Sequence, residues 1–143
     1  MKQSLVFFLF ILLVILASCN QNKKSISPNK HNWFGHQVTV SAYNSVTWQT
    51  LGNPNIAAWG DTLIPGMKCI AVSRDLLTLG IDHNTMVKID TFPDTFYVKD
   101  KMNRKWTNRI DIYMGNDVKS ARNWGKKNLQ ICYAIPIDTL NTK

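Results

Sequence analysis

The sequence predicts a mainly β domain, a small barrel of six short strands with one helix. Six runs of alternating or continuous apolar residues predict it, together with the Gly, Pro, Asn and Asp turn signals between them and a single segment with helical spacing. Many short strands with one helix suit a small barrel better than a doubly wound sheet. The first strand is expected over His36–Tyr43, where apolar and polar residues alternate. Residues 44–66 read as loop, marked by Gly52-Asn-Pro54, Trp59-Gly60-Asp61 and Pro65-Gly66. Strands follow at Lys68–Ser73, Thr85–Asp90, Thr95–Asp100 and Arg109–Met114, and the last at Leu129–Ile135. The helix is expected over Asp117–Trp124, with Asn116 as N-cap and Gly125 as a left-handed stop. Val118, Ala121 and Trp124 should face the barrel.

The N-terminus reads as a targeting segment. Lys2 precedes an uninterrupted apolar run, Leu5 to Leu16, of twelve residues. A bilayer span needs about 20 residues, so this run suits a secretory leader instead. It ends in Leu16-Ala-Ser-Cys19, which resembles a bacterial lipobox whose cysteine is lipidated. Asn20 follows, not the aspartate that commonly signals inner-membrane retention, so outer-membrane attachment facing the periplasm is expected. Residues 1–18 are then the leader, 19–34 the lipidated cysteine and a polar tether, and 35–143 the folded domain. Acyl chains at Cys19 suffice for stable membrane association.

Loss of the leader removes Lys2 and no acid, lowering the formal charge from +8 to +7. Nucleic acid is not expected as a partner in the periplasm. Lipid headgroups and the peptide carboxylates of peptidoglycan are the available polyanions, and a basic surface raises encounter rates with them. Cys69 and Cys132 remain after lipidation, each in an expected strand, and both a disulfide and two buried free thiols are open. The scattered histidines, His31, His36 and His83, lack metal-ligand spacing. No phosphate loop and no matched nucleophile and histidine are visible, and no cofactor is expected.

Glutamate is absent and all nine acids are aspartates, so any carboxylate catalyst is one of them. Asp100 and Asp111 have the best contexts. In Arg109-Ile-Asp111-Ile-Tyr-Met114, Ile110, Ile112 and Met114 share one face, and Arg109, Asp111 and Tyr113 the other. A solvated strand face and a rigidly mounted catalytic carboxylate both fit that pattern. Between the two aspartates, residues 101–108 form a basic loop around Trp106. There Trp106 suits stacking on a sugar, and Arg104 or Lys105 pairing with a peptide carboxylate; a solvated loop with Trp106 folded onto the barrel also fits.

Residues 69–133 resemble the three-aspartate (3D) domain family. The match runs from Cys69-Ile-Ala-Val-Ser-Arg-Asp75 through Leu79-Gly80 and Thr85–Ile89 to Asp100. It continues with the Arg109-x-Asp111-x-Tyr113 strand, Ala121-x-x-Trp124-Gly125 and the apolar strand Leu129–Ile135. Lys101-Met-Asn103 stands where the family often has Thr-Gly-Gly, and Ser73 falls near the family's first aspartate, with Asp75 two residues on. The resemblance implies a double-psi β-barrel. It also implies lytic transglycosylase-like cleavage between N-acetylmuramic acid and N-acetylglucosamine to 1,6-anhydro products. Asp111 would be the acid/base, Asp100 would raise its pKa or stabilise developing charge, and Arg109, Tyr113, Trp106 and Arg104 would contact glycan. A lytic enzyme of the family has a second domain that this chain is too short to hold, and a homodimer would be one way to rebuild the cleft. The alternative on the same barrel is a non-catalytic peptidoglycan-binding or envelope-scaffolding lipoprotein. Arg109 beside Asp111 works against a general acid, because a nearby cation lowers a carboxyl pKa.

Overall fold

A computed structural model describes residues 31–49 and 52–137. The leader, Cys19 and residues 20–30 of the tether lie outside the described residues. The chain forms six strands: β1 (His31–Tyr43), β2 (Cys69–Val72), β3 (Met86–Ile89), β4 (Thr95–Lys101), β5 (Arg109–Tyr113) and β6 (Lys127–Pro136). Among the described residues, one α-helix, α1 (Val118–Trp124), precedes β6. The strands make a single sheet in the order β1-β5-β2-β4-β3-β6, and β6 pairs back onto β1, so the sheet closes. Two pairs are parallel, β1 with β5 and β2 with β4; the rest are antiparallel. Exchanging β1, β2 and β3 with β4, β5 and β6 leaves every pairing in place. That two-fold pattern lies in the pairing and has no visible counterpart as a sequence repeat.

The interior follows from alternation. Val38 and Val40, Ile70 and Val72, Val87 and Ile89, Phe96 and Val98, Ile110 and Ile112, and Ile131 and Tyr133 point inward and pack as one core. β2 is buried on both faces, because a second cluster of Ala57, Leu63, Cys69 and Tyr113 covers its outside. The 44–66 segment that reads as loop therefore acts as a flap over β2 and β5.

Four expectations change. β1 starts at His31, where it pairs with Pro136 of β6, so residues 31–34 belong to the sheet and not to the tether. Asp117, not Asn116, caps α1: its carboxylate accepts the Ser120 N–H at 2.9 Å and the Ser120 hydroxyl at 2.6 Å. A carboxylate satisfying orphan N–H groups also suits the positive end of the helix. Gly125 does take a positive φ, but its ψ of −136° lies outside the left-handed helical well, in a region open essentially to glycine. Trp124 packs its ring against Phe92 at 5.3 Å and only partly enters the core.

The disulfide is absent. Cys69 and Cys132 are both free, the first buried and the second exposed. β2 lies between β5 and β4, whereas β6 lies between β3 and β1, so the two cysteines never sit on neighbouring strands. A disulfide needs α-carbons within about 7 Å.

Candidate functional site

The register brings four residues into one row across four strands. Ser41 pairs with Asp111, Asp111 with Ala71, and Ala71 with Asp100. Alternation alone would send Asp100 inward after Phe96 and Val98. A bulge prevents this: Val98 and Asp100 oppose the consecutive residues Ile70 and Ala71, which leaves Lys99 as the extra residue. Bulges often re-aim a side chain beside a functional site. Here the bulge brings Asp100 level with Asp111.

Asp111 is held by side chains. The Ser41 hydroxyl donates to its Oδ1 and accepts from Arg109 Nε at 2.8 Å and Nη2 at 2.6 Å. Arg109 Nε lies 3.7 Å from Asp111, with the two side chains only 11% and 19% exposed. Ser41 thus stands between cation and carboxylate and takes the guanidinium's hydrogen bonds. The opposing influences on Asp111 do not balance. Burial pushes its carboxyl above the usual range, and the Ser41 hydrogen bond, Arg109 and Lys126 only partly pull it back. The objection raised by Arg109 is therefore outweighed.

Arg109 is itself fixed from three sides. Its guanidinium carbon sits 4.1 Å from the centre of the Trp106 ring, a cation–π contact. Its backbone N–H donates to the buried Ser73 hydroxyl at 2.9 Å. Asp75 accepts the Asn108 N–H at 2.7 Å, and the Ser73 hydroxyl also bonds to Asp75. Ser73 and Asp75, which read as traces of a missing aspartate, clamp the start of β5. Lys105 and Lys126 also lie near the Trp106 ring, at 5.1 and 6.0 Å.

Asp100 is held differently. Its Oδ1 accepts the backbone N–H groups of Ala58 at 2.7 Å and Lys101 at 2.8 Å. Its Oδ2 has no hydrogen-bond partner among the described residues. Burial raises its pKa, and the two N–H groups act in the other direction. With strands about 4.8 Å apart, the two aspartate backbones are about 10 Å apart. Asp100 is accordingly not among the causes of Asp111's shift, which corrects the expected coupling.

Tyr113 is another correction. It is 5% exposed, its hydroxyl is hydrogen-bonded to Ser45 at 2.7 Å, and its ring packs against Tyr43. It supports the site from beneath the flap and does not face a substrate. Arg104 is exposed in the β4–β5 loop and joins none of the contacts around Asp111 among the described residues. The structure brings together Asp111, Arg109 and Trp106, and sets Asp100, Arg104 and Tyr113 apart. It adds Ser41 and Lys126, which sequence reasoning missed. Alternation placed Ser41 on the polar face of β1, but only the parallel pairing puts it opposite Asp111.

Tyr43 feels both carboxylates. Its hydroxyl is buried without a partner among the described residues, and burial, then Cys69 and Asp100, hold the phenol protonated. Burial, then Asp100, push the Cys69 thiol up to about 11. Among the described residues, no three His, Cys or Asp side chains converge as metal ligands would. No family model matches the chain, and no curated protein matches it.

Proposed function

We propose that this protein is a lipid-anchored envelope protein that cleaves peptidoglycan, with Asp111 as the only proton-transfer group. One observation carries the reading: burial holds the Asp111 pKa raised beside an arginine whose hydrogen bonds Ser41 accepts, and Ser41 and Arg109 only partly pull it back. A general acid must start protonated near its working pH, and burial moves the Asp111 pKa in that direction. The protonated carboxyl donates to the oxygen linking N-acetylmuramic acid to N-acetylglucosamine. The C1–O bond breaks through an oxocarbenium-like state. The carboxylate then takes the proton of the muramyl C6 hydroxyl, whose oxygen closes on C1 to give a 1,6-anhydro sugar. No water is consumed and the acid is regenerated. Arg109 and Trp106 are the neighbouring groups for glycan contact.

In this reading the closed sheet is a double-psi β-barrel of the three-aspartate kind, which its exchangeable strand pairs support. Cys19 carries the lipid, and the domain faces the periplasm from the outer membrane. A second reading, a peptidoglycan-binding lipoprotein without catalysis, draws support from the separation of Asp100 from Asp111.

The test is a digest of purified peptidoglycan by the full chain in detergent, read by mass spectrometry beside Asp111→Asn. Anhydromuropeptides from the parent and none from the variant are expected. Reducing-end products would mean hydrolysis. Sedimentation with the wall and no product would mean binding alone.

A further inference from the structure

Asp100 borders a cavity of about 260 Å³ that also takes in Asn44, Gln49, Asn53, Pro54 and Ile56. Its hydrogen-bonding capacity follows from which groups are already engaged. Asp100 has spent Oδ1 on two backbone N–H groups, so Oδ2 remains an acceptor. Asn53 Oδ1 accepts the Asn55 N–H at 3.0 Å, and its amide N–H₂, with no partner among the described residues, remains a donor. Asn44 donates to the Gly115 and Met114 carbonyls at 3.1 and 3.4 Å, which ties it to the sheet. Pro54 and Ile56 add apolar surface, with Ile56 48% exposed.

An acceptor, a donor and a small apolar wall are the complement of a secondary amide bearing a methyl group. An ammonium would satisfy Asp100 but face the Asn53 donor and lose water to Pro54 and Ile56. A lone hydroxyl would leave the apolar wall without an occupant. We propose that the Asp100 cavity is a subsite for the acetamido group of an N-acetylated amino sugar. The N–H donates to Asp100 Oδ2, the carbonyl accepts from Asn53, and the methyl lies on Pro54 and Ile56. The choice of a sugar as bearer of the amide rests on the peptidoglycan reading. Asp100 is then a ligand-binding residue, and at about 10 Å from Asp111 it reads a ring away from the bond that breaks.

The experiment follows backbone amide resonances of the full-length Asp111→Asn chain in a zwitterionic detergent. That background carries no cleavage. Tri-N-acetylchitotriose should shift the Ala58 and Lys101 amides, and cellotriose, with a hydroxyl in place of the acetamido group, should not. Asp100→Asn keeps one oxygen for the two backbone N–H groups but turns the free oxygen into a donor. Added to the same background, it should weaken binding by at least about tenfold, the cost of a mispaired polar group. Equal shifts with cellotriose, or affinity unchanged in Asp100→Asn, would overturn the subsite. The same shifts from N-acetyl-alanine methylamide would overturn the sugar as its ligand. Acetamido-dependent shifts with no anhydro product from the parent would leave the subsite standing and remove the enzyme. Cleavage without these shifts would do the reverse.

Discussion

The two parallel strand pairs carry the same chemistry in different holders. In β1–β5 the carboxylate of Asp111 meets a serine hydroxyl and an arginine; in β2–β4 the carboxylate of Asp100 stands level with an alanine methyl and is held by two backbone N–H groups. Burial raises both pKa values. The difference lies in what answers the charge. A serine hydroxyl and an arginine answer the charge of Asp111, and both pull its pKa back without cancelling the effect of burial. Fixed backbone dipoles hold one oxygen of Asp100 and leave the other for a ligand. Equal burial therefore does not imply equal roles.

The comparison breaks most visibly in activity. Asp111→Asn should lower anhydromuropeptide formation by roughly 10²–10⁴-fold, the usual contribution of a general acid/base. Asp100→Asn should instead raise KM with kcat little changed, as measured by initial rates against peptidoglycan concentration. Equal loss of kcat in both would make the aspartates a coupled pair.

The second effect separates the holders. Ser41→Ala removes the spacer, so Arg109 can close on Asp111 as a direct ion pair. A charge-assisted bond outweighs the lost hydroxyl, and the Asp111 pKa should fall. Arg109→Met should move it the other way. Carbon NMR titration of the carboxyls reads both, with Asp100 unmoved as the internal control. An unchanged Asp111 in Ser41→Ala would mean that the serine does not hold the guanidinium away.

Stability should depend on pH through both aspartates. A carboxyl whose pKa is higher folded than unfolded binds its proton more tightly in the native state. It therefore costs stability as pH rises through the window above the ordinary carboxylate value. Each Asp→Asn variant lacks that cost. Each should be more stable than the parent at neutral pH and converge with it in acid, as thermal melts across pH would record.

The smallest contrast is between two packed tyrosines. Tyr113→Phe loses a buried hydrogen bond to Ser45 and should cost about 1 kcal/mol. Tyr43→Phe removes a hydroxyl that has no partner among the described residues and should cost nothing measurable. Denaturant unfolding of the two variants decides it.

What the sequence determined alone is local. Periods of two residues and, for the doubly buried β2, a continuous apolar run located the six strands, because burial of one or both faces dictates the pattern. Asp117 and Gly125 bounded the helix through cap chemistry, although the cap itself fell one residue from its expected place. Asp111 was legible because its polar face belongs to its own strand. The rest depended on which strands became neighbours. Ser41 lies seventy residues before Asp111, and only parallel pairing of β1 with β5 joins them. The same strand order keeps Cys69 from Cys132. Asp100 reached the outer row through a bulge, a property of two paired strands that neither strand carries by itself. Hydrogen-bonding capacity and side-chain period are properties of a segment, but register, burial and the balance of charges arise only when distant segments share a sheet.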